Sequence, residues 1–256
     1  MSATYETTVL TDHAHDYVRV VEVDAAATAY RAGHIAGAVF WNIYGDLRRP
    51  DYTPIDSREL EQLLIRSGIT PETTVVFYGY GAYLGYWLLA SHGHENVHVL
   101  DGPREQALQL GRDWGLDEPK LETGTQLRVS RAAMLELIGR PGVVVLDVRS
   151  RAEYDGERFW PSGASEDAGR PGHIPGSIHL PVDELRTDRG SFRTAGELSA
   201  VVRRRGILRS QRIVTYCTVG NRASQAWYAL TRLGYNAAVY QGGWAEWGKR
   251  PDMPIA

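Results

Sequence analysis

Cysteine is nearly absent from this sequence: among 256 residues, only Cys217 carries a thiol. One cysteine excludes an intramolecular disulfide. Because structural disulfides belong to oxidising compartments, their absence predicts a reducing, cytoplasmic location. The first ten residues contain no basic region followed by an apolar core, so no secretory signal peptide is expected.

The sequence also lacks long apolar runs and a strong charge of either sign. No run approaches the 18 apolar residues that predict a membrane-spanning helix. The formal net charge is −3, so no overall basic field would attract nucleic acid. Hydrophobic residues make up 43% and charged residues 23% of the chain, which is typical of globular proteins. We therefore expect neither a membrane nor a nucleic acid as a partner.

Motifs for metals and nucleotides are missing as well. His92, His94 and His98 are accompanied by neither cysteines nor paired acids at the spacing of a metal site. The glycines form no Walker motif and no dinucleotide-binding fingerprint. The sequence thus predicts no metal and no organic cofactor.

What the chain does contain is a repeat of itself. Four blocks recur in the same order, "VRVVEVD" (18–24) with "VVVLDVR" (143–149), "GHIAGAVFWN" (33–42) with "GHIPGSIHLP" (172–181), "TVVFYG" (74–79) with "RIVTYC" (212–217), and "VHVLDG" (97–102) with "AAVYQGG" (237–243). A polar stretch with Gly and Pro, "LDEPKLETGT", separates the two sets and has the composition of a linker. We predict an N-terminal domain over 1–115, a linker over 116–126 and a C-terminal domain over 127–256.

Each half alternates short apolar runs with helical patterns. Strands are predicted at 18–23, 74–78, 97–100, 143–147, 213–216 and 237–240, and helices at 57–67, 83–92, 131–139, 195–205 and 222–233. Ser57 and Ser130 occupy the positions of helix N-caps. Continuous Val and Ile runs suit strands that are buried on both faces. The alternation predicts an α/β fold in which each domain has a mostly parallel sheet flanked by helices.

The single thiol lies in a short loop between a predicted strand and a predicted helix. The loop consists of Cys217, Thr218, Val219, Gly220, Asn221 and Arg222. A loop that enters a helix N-terminus can direct several backbone N–H groups at one anion, and this environment favours the thiolate form of a cysteine. An arginine in the first turn is unfavourably placed for the helix dipole, so Arg222 predicts an anion nearby. The alternative is a cysteine that packs as a small buried hydrophobe.

Two kinds of anion chemistry use a cysteine in such a loop. A phosphatase loop normally has five residues between cysteine and arginine, because it surrounds a tetrahedral phosphoryl group. Here four residues intervene. The shorter loop favours a terminal sulfur held as a persulfide, or a small sulfur oxyanion, although one residue leaves the phosphatase alternative open.

Several motifs together resemble the rhodanese family of sulfurtransferases, in its two-domain form. They are "LDVRSRAEYDGE" (146–157), "GRPGHIPGSIHLP" (169–181), "YCTVGNRAS" (216–224) and "YQGGWAEWG" (240–248). The pattern is most similar to actinobacterial-type thiosulfate sulfurtransferases. The resemblance implies two tandem rhodanese-like domains, of which only the second is catalytic, because Gly79 stands where the second domain has Cys217.

The resemblance also implies a mechanism and supporting residues. The Cys217 thiolate would take sulfur from thiosulfate, hold it as a persulfide among the amides of 218–222, and pass it to cyanide or a thiol. Asp147 and Arg149 would form a structural pair that positions the loop, against the alternative of a surface ion pair. Trp41 and Tyr80 of the first domain could face the site, although core packing is the expected role of such aromatics.

Two departures leave the sulfur donor open. Vertebrate-type enzymes have a basic residue at the position of Glu153, and Thr218 and Val219 stand where many thiosulfate enzymes have basic residues. Donor binding then falls to Arg222, with Arg158 and Arg170 of the segment 156–172 as further candidates. The alternatives are a 3-mercaptopyruvate sulfurtransferase, a protein-to-protein sulfur relay, a cysteine phosphatase and a non-catalytic binding module.

Overall fold

The structure, a computed structural model, describes residues 17–111, 121–165 and 168–256. Its first sheet consists of β1 (Val18–Asp24), β2 (Val39–Asn42), β3 (Thr74–Tyr78) and β4 (Val97–Val99), in the order β2-β1-β3-β4. Every neighbouring pair of strands is parallel. The helices of this half are α1 (Thr28–Ala32), α2 (Ser57–Arg66), α3 (Ala82–Ser91) and α4 (Arg104–Leu110).

The second sheet repeats this plan with one additional strand. It consists of β5 (Arg128–Val129), β6 (Val143–Asp147), β7 (Ile178–His179), β8 (Arg212–Tyr216) and β9 (Asn236–Tyr240), in the parallel order β5-β9-β8-β6-β7. Its helices are α5 (Arg131–Leu137), α6 (Arg151–Tyr154), α7 (Ala195–Arg204), α8 (Asn221–Arg232) and α9 (Gly243–Trp247). Two 3-10 turns, Thr125–Leu127 and Val182–Leu185, complete this half.

All six predicted strands and all five predicted helices are present, with ends within two residues of the predicted bounds. The strands that the sequence pattern missed, β2, β5 and β7, are two to four residues long. Runs of that length are too short to show a period.

One of the two predicted N-caps is confirmed and the other is wrong. The Ser130 side chain accepts a hydrogen bond from the Ala133 amide and caps α5. The cap of α2 is Asp56 rather than Ser57, which is the first residue of the helix. Asp56 and Glu59 form a reciprocal capping box, and a carboxylate at this position also interacts favourably with the helix dipole.

The helix α3 joins the two halves. Its sequence, "AYLGYWLLAS", is apolar on every side, and all ten of its residues are buried. One face covers the first sheet, while the other packs on α8, where Tyr83 lies 4.9 Å from Tyr228 between ring centres. One hydrophobic cluster therefore runs through both halves and includes Phe77 of the first sheet and Val239 of the second.

The predicted linker, 116–126, is covered only in part. Residues 116–120 lie outside the described residues, and Gly124 donates a backbone hydrogen bond of 2.7 Å to Ala90 at the end of α3. The domain bounds remain a prediction. Within the described ranges, none of the helices combines the length and apolar character that crossing a membrane requires.

Candidate active site around Cys217

Cys217 follows β8, the central strand of the second sheet, at the carboxyl edge where parallel α/β sheets bind ligands. The residue is 1% exposed, and its Sγ accepts a hydrogen bond of 3.1 Å from the Gly220 amide. Gly220 is the N-cap of α8 and has a φ of +95°, a left-handed conformation that glycine adopts without strain. The first amides of a helix have no intrahelical acceptor, so those of Asn221 and Arg222 remain available to an anion.

The helix α9 holds the loop from behind. The Trp244 amide donates to the Cys217 carbonyl at 2.8 Å, and the Ala245 amide donates to the Thr218 carbonyl at 3.0 Å. Gly243 has a φ of +61°, and a Cβ there would lie 2.8 Å from the Cys217 oxygen. Only glycine therefore lets α9 approach the loop this closely, which explains the second glycine of the "YQGGWAEWG" motif.

The anion that Arg222 requires is Glu153. Arg222 Nη1 donates to Glu153 Oε2 at 2.7 Å, and Nη2 donates to Oε1 at 2.8 Å, so the pair is bidentate. Thr218 Oγ1 donates to Oε1 at 2.7 Å and accepts from Arg222 Nη2 at 2.9 Å. Ser150 Oγ donates to Oε2 at 2.8 Å. The predicted loop residues Thr218 and Arg222 thus both bind the Glu153 carboxylate. From the sequence, Glu153 was expected only to be unable to hold the anionic donor.

This environment keeps Glu153 ionised. Burial by itself would raise the pKa of the Glu153 carboxyl group, but the hydrogen bonds and charge of Arg222, with those of Thr218 and Ser150, outweigh it and lower the pKa to about 2. Glu153 in turn raises the pKa of Arg222 above its usual value, against the effect of burial. The pair is therefore fully charged at every pH at which the protein would work.

The Glu153 shift predicts acid sensitivity. Because the folded-state pKa lies below the ordinary 4.5, the stabilisation is complete above pH 4.5 and is lost as the pH falls towards 2. It amounts to about 3 kcal/mol in wild type. Glu153→Gln should lower the free energy of unfolding at pH 7 and flatten its decline in acid. Urea denaturation between pH 7 and pH 3 measures both, and parallel curves for the two proteins would contradict the prediction.

Asp147 and Arg149 form a second ion pair, which is buried rather than superficial. Both side chains are 0% exposed, and Arg149 Nη2 lies 2.7 Å from Asp147 Oδ2. The Tyr216 hydroxyl, one residue before the cysteine, donates to the same oxygen at 2.5 Å. Arg149 also stacks over Trp244, with its guanidinium carbon 4.5 Å from the ring centre. The pair thus contacts Tyr216 and Trp244, which flank and hold Cys217, and its role in positioning the loop stays a prediction.

The first domain contains the same arrangement without the thiol. The Tyr78 hydroxyl donates to Glu22 at 2.5 Å and accepts from the Ile35 amide at 3.2 Å. In the second domain the Tyr216 hydroxyl likewise accepts from the Ile174 amide, at 3.1 Å. After Tyr78, however, the chain continues with Gly79 at the position of Cys217. Both halves therefore contain the same tyrosine hydrogen bonds beside the loop, and only the second half has a thiol there.

A small cavity of about 50 Å³ lies in front of the cysteine, and both domains line it. Its walls are Ile43, Tyr44, Tyr80, Trp160, Pro161, Cys217, Thr218, Val219, Asn221 and Arg222. Tyr80 is 59% exposed, and its carbonyl accepts a hydrogen bond of 3.3 Å from Asn221. Trp41, by contrast, is buried in the core and donates to Ser67. Of the two aromatics considered from the sequence, Tyr80 faces the site and Trp41 does not.

The segment 156–172 contributes Trp160 and Pro161 to the cavity rather than its arginines. The Trp160 ring packs against Tyr52 of the first domain, with 4.9 Å between ring centres and the planes tilted by 53°. Arg158 bonds the Pro161 carbonyl, and Arg170 bonds the carbonyls of Arg250 and Met253. Neither arginine lines the cavity. Trp160 and Pro161 thus form part of the cavity wall, while the two arginines expected to bind the donor lie outside it.

Comparison with known proteins places this geometry in a family. The model of the rhodanese-like domain matches the chain twice, over residues 8–106 and 130–250. The Haloferax volcanii protein named "Putative thiosulfate sulfurtransferase" is 33% identical, over 93% of this chain and 88% of its own. The sulfur carrier protein TtuD of Thermus thermophilus is 35% identical, over 93% and 90% of the two chains.

The fold is also similar to that of solved structures. The anaerobic ergothioneine biosynthesis enzyme of Chlorobium limicola, in complex with trimethyl histidine, superposes with a TM-score of 0.81 at 26% identity. The match covers the whole of this chain and 66% of that enzyme. The repeat and the two parallel sheets are thus those of a known architecture: the chain belongs to the rhodanese family and contains two rhodanese-like domains.

Proposed function

We propose that this protein is a thiosulfate sulfurtransferase in which Cys217 carries the sulfur as a persulfide. The observation that supports this most directly is the position of the chain's only thiol. Its sulfur accepts a hydrogen bond of 3.1 Å from the Gly220 amide. Cys217 also lines a cavity of about 50 Å³, which is large enough for only a few heavy atoms. That is the environment in which a small anionic sulfur species is stabilised.

The reaction proceeds in two displacements. The Cys217 thiolate attacks the outer sulfur of thiosulfate, an S–S bond forms, and sulfite leaves with the electron pair of the bond that breaks. Cyanide or a thiolate then attacks the terminal sulfur, and the electron pair returns to Sγ. Both nucleophiles are anions, so no general base is needed and the amides supply electrostatic stabilisation.

The pairing of Arg222 argues against the phosphatase alternative. An arginine that binds a phosphoryl group presents its planar fork to the phosphate oxygens. Here both Nη atoms are engaged by Glu153 and Thr218. The role that remains for Arg222 is to brace the loop through Glu153, rather than to hold the donor directly.

A sulfur relay is the second candidate, because one relative is named a sulfur carrier protein. In that case the donor would be the persulfide of another protein, and the acceptor would be a further thiol. The exposed Tyr80 and the overhanging Trp160 would then meet the partner at the cavity mouth. Rapid turnover with thiosulfate and cyanide alone would count against a relay fed only by proteins.

Intact-mass spectrometry tests both proposals. The protein is reduced, freed of small molecules, and exposed separately to thiosulfate, to 3-mercaptopyruvate and to a persulfidated carrier protein. We expect thiosulfate to add one sulfur atom at Cys217, and cyanide to remove it. A sulfur adduct formed only with 3-mercaptopyruvate, or only with the persulfidated carrier protein, would identify that compound as the donor instead of thiosulfate. No adduct from any of the three would refute the persulfide mechanism.

A further inference from the structure

Arg48 is a first-domain residue that reaches into the second domain beside the cysteine loop. It follows β2 in sequence, and its side chain is buried, with 3% of the residue exposed. Its Nη1 donates to the carbonyl of Gln241 at 2.7 Å, across the boundary between the halves. Nothing in the local sequence "GDLRRPDY" distinguishes a buried arginine from a surface one, so Arg48 could not be recognised from its sequence context.

The remaining donors of Arg48 are unsatisfied. Nε and Nη2 are buried and have no hydrogen-bond partner within the part of the chain that the structure describes. In that same part, Arg48 forms no salt bridge, unlike the neighbouring Arg49, which pairs with Asp56 and Glu59. A buried cation without a counter-ion is costly, so an anion is expected close to it.

Three groups that can carry a negative charge act on Arg48: Cys217, Glu246 and Tyr44. Glu246 is already neutralised, because its carboxylate binds Arg131 at 3.0 Å and the hydroxyl of Tyr240 at 2.8 Å. Burial raises the pKa of the Tyr44 phenol, so Tyr44 is uncharged at neutral pH. Of the three, Cys217 is therefore the candidate counter-ion of Arg48, in the anionic form that the proposed mechanism requires.

Contact with Gly220 links the guanidinium to this sulfur. A Cβ placed on Gly220 would overlap Arg48 Nη2, so the two groups touch with no room for a side chain between them. The amide of the same Gly220 donates to Cys217 Sγ. Arg48 thus supports the one residue whose N–H already binds the sulfur.

We infer that Arg48 is a positioning residue whose charge balances the anionic sulfur of Cys217, as thiolate or persulfide, and whose side chain holds Gly220 in place. The inference rests on the proposed function, because it assumes that an anion is carried at Cys217. It gives the first domain, which has no thiol of its own, a part in positioning and stabilising the sulfur of Cys217.

The charge of Arg48 suits this role. Burial lowers the pKa of Arg48 to about 10, which still leaves the guanidinium protonated at neutral pH. The thiolate and the persulfide each carry one negative charge. The dianionic donor, thiosulfate, brings further negative charge to the site in the transition state. In a site that excludes water, a fixed cation stabilises this charge more than it would in solvent.

The first test measures the rate of sulfur loading from thiosulfate, by mass spectrometry, in Arg48→Met, Arg48→Lys and Arg49→Met. We expect kcat/KM for the donor to fall about 10- to 100-fold in Arg48→Met, because one electrostatic contact of the transition state is lost. Arg48→Lys retains the charge and should recover part of the rate. Arg49→Met removes the same charge at the adjacent, surface position and should keep the wild-type rate.

The second test needs no sulfur donor. Cys217→Ala leaves Arg48 without its counter-ion, so it should lower the melting temperature in wild type and in Arg48→Lys. In Arg48→Met the same substitution should have a much smaller effect, because the cation is gone. This double-mutant cycle measures the coupling between the two side chains directly.

The outcomes separate the inference from the proposed function. If wild type loads sulfur, but Arg48→Met loads it equally fast and the cycle shows no coupling, the counter-charge role is wrong and the function stands. If wild type loads no sulfur while the cycle shows coupling, the function fails and the counter-charge role survives. Equal losses of rate in Arg48→Lys and Arg48→Met, without coupling, would also overturn the role.

Discussion

Cys217→Ser is expected to lower kcat/KM for sulfur transfer by at least about 1000-fold. A serine hydroxyl is a far weaker nucleophile than a thiolate, and an oxygen cannot hold sulfur as a persulfide. No other thiol exists in the chain to take over the reaction. Formation of thiocyanate from thiosulfate and cyanide measures the loss.

The control for this variant is its fold. Serine is close to cysteine in volume, and Cys217 is buried in a well-packed loop, so the far-UV circular dichroism spectrum should match that of wild type. Transfer that persists in a correctly folded Cys217→Ser protein would place the chemistry elsewhere. Loss of the mass adduct and loss of turnover in the same variant would together assign the reaction to this sulfur.

Asp147→Asn is expected to produce the largest loss of stability among single conservative substitutions at the site. It leaves Arg149 as a buried, unpaired cation, which costs about 3–5 kcal/mol. It also weakens the acceptor for the Tyr216 hydroxyl, whose pKa is raised by burial and by Asp147, so that the phenol remains a donor. Guanidinium denaturation monitored by tryptophan fluorescence measures the change in unfolding free energy.

A surface pair provides the matched control. Arg151 and Asp155 are also an Arg–Asp pair near the start of the second domain, but the Arg151 side chain is 73% exposed. Solvent screens such a pair, so Asp155→Asn should change stability little. The double variant Asp147→Asn/Arg149→Met removes the stranded charge and should be more stable than Asp147→Asn alone. A small effect of Asp147→Asn, equal to that of Asp155→Asn, would refute the positioning role.

The core elements of both domains could be predicted because each contains, within its own residues, the apolar run that indicates burial. Runs such as "VVVLD" of β6 and "IVTY" of β8 are apolar on both faces, and only the middle of a covered parallel sheet satisfies them. The loop around Cys217 was predictable for a similar reason. A thiol, a glycine and a helix start within a few residues predict an anion site from local geometry alone.

The edge elements could not be predicted in the same way. The strands β5 and β7 have two residues each, and they exist because neighbouring strands offer hydrogen bonds at the correct register. The helix α9 has five residues, and its contacts with the carbonyls of Cys217 and Thr218 define its place. Such elements depend on tertiary partners rather than on propensity.

The site shows the same division between local and distant information. From the sequence, an arginine in the first turn of α8 indicated an anion nearby, and Glu153 was interpreted only as a residue that cannot hold the anionic donor. The structure joins them, since Glu153 is the anion that Arg222 requires. Glu153 and Arg222 are 69 positions apart in the chain, and no sequence pattern predicts that they pair. Side-chain contacts between separate elements depend on how those elements pack.

The sequence by itself determined that this is a two-domain α/β protein of a repeated design, with one thiol in a loop between a strand and a helix of its second half. Only the tertiary structure decided which side chains surround that thiol. Tyr44 and Tyr80 of the half without a cysteine line the cavity, and Arg48 of the same half bonds the Gln241 carbonyl across the interface between the halves. Interfaces of this kind arise from apolar surfaces that two domains bury together, and burial between domains leaves no periodic trace in either domain's sequence.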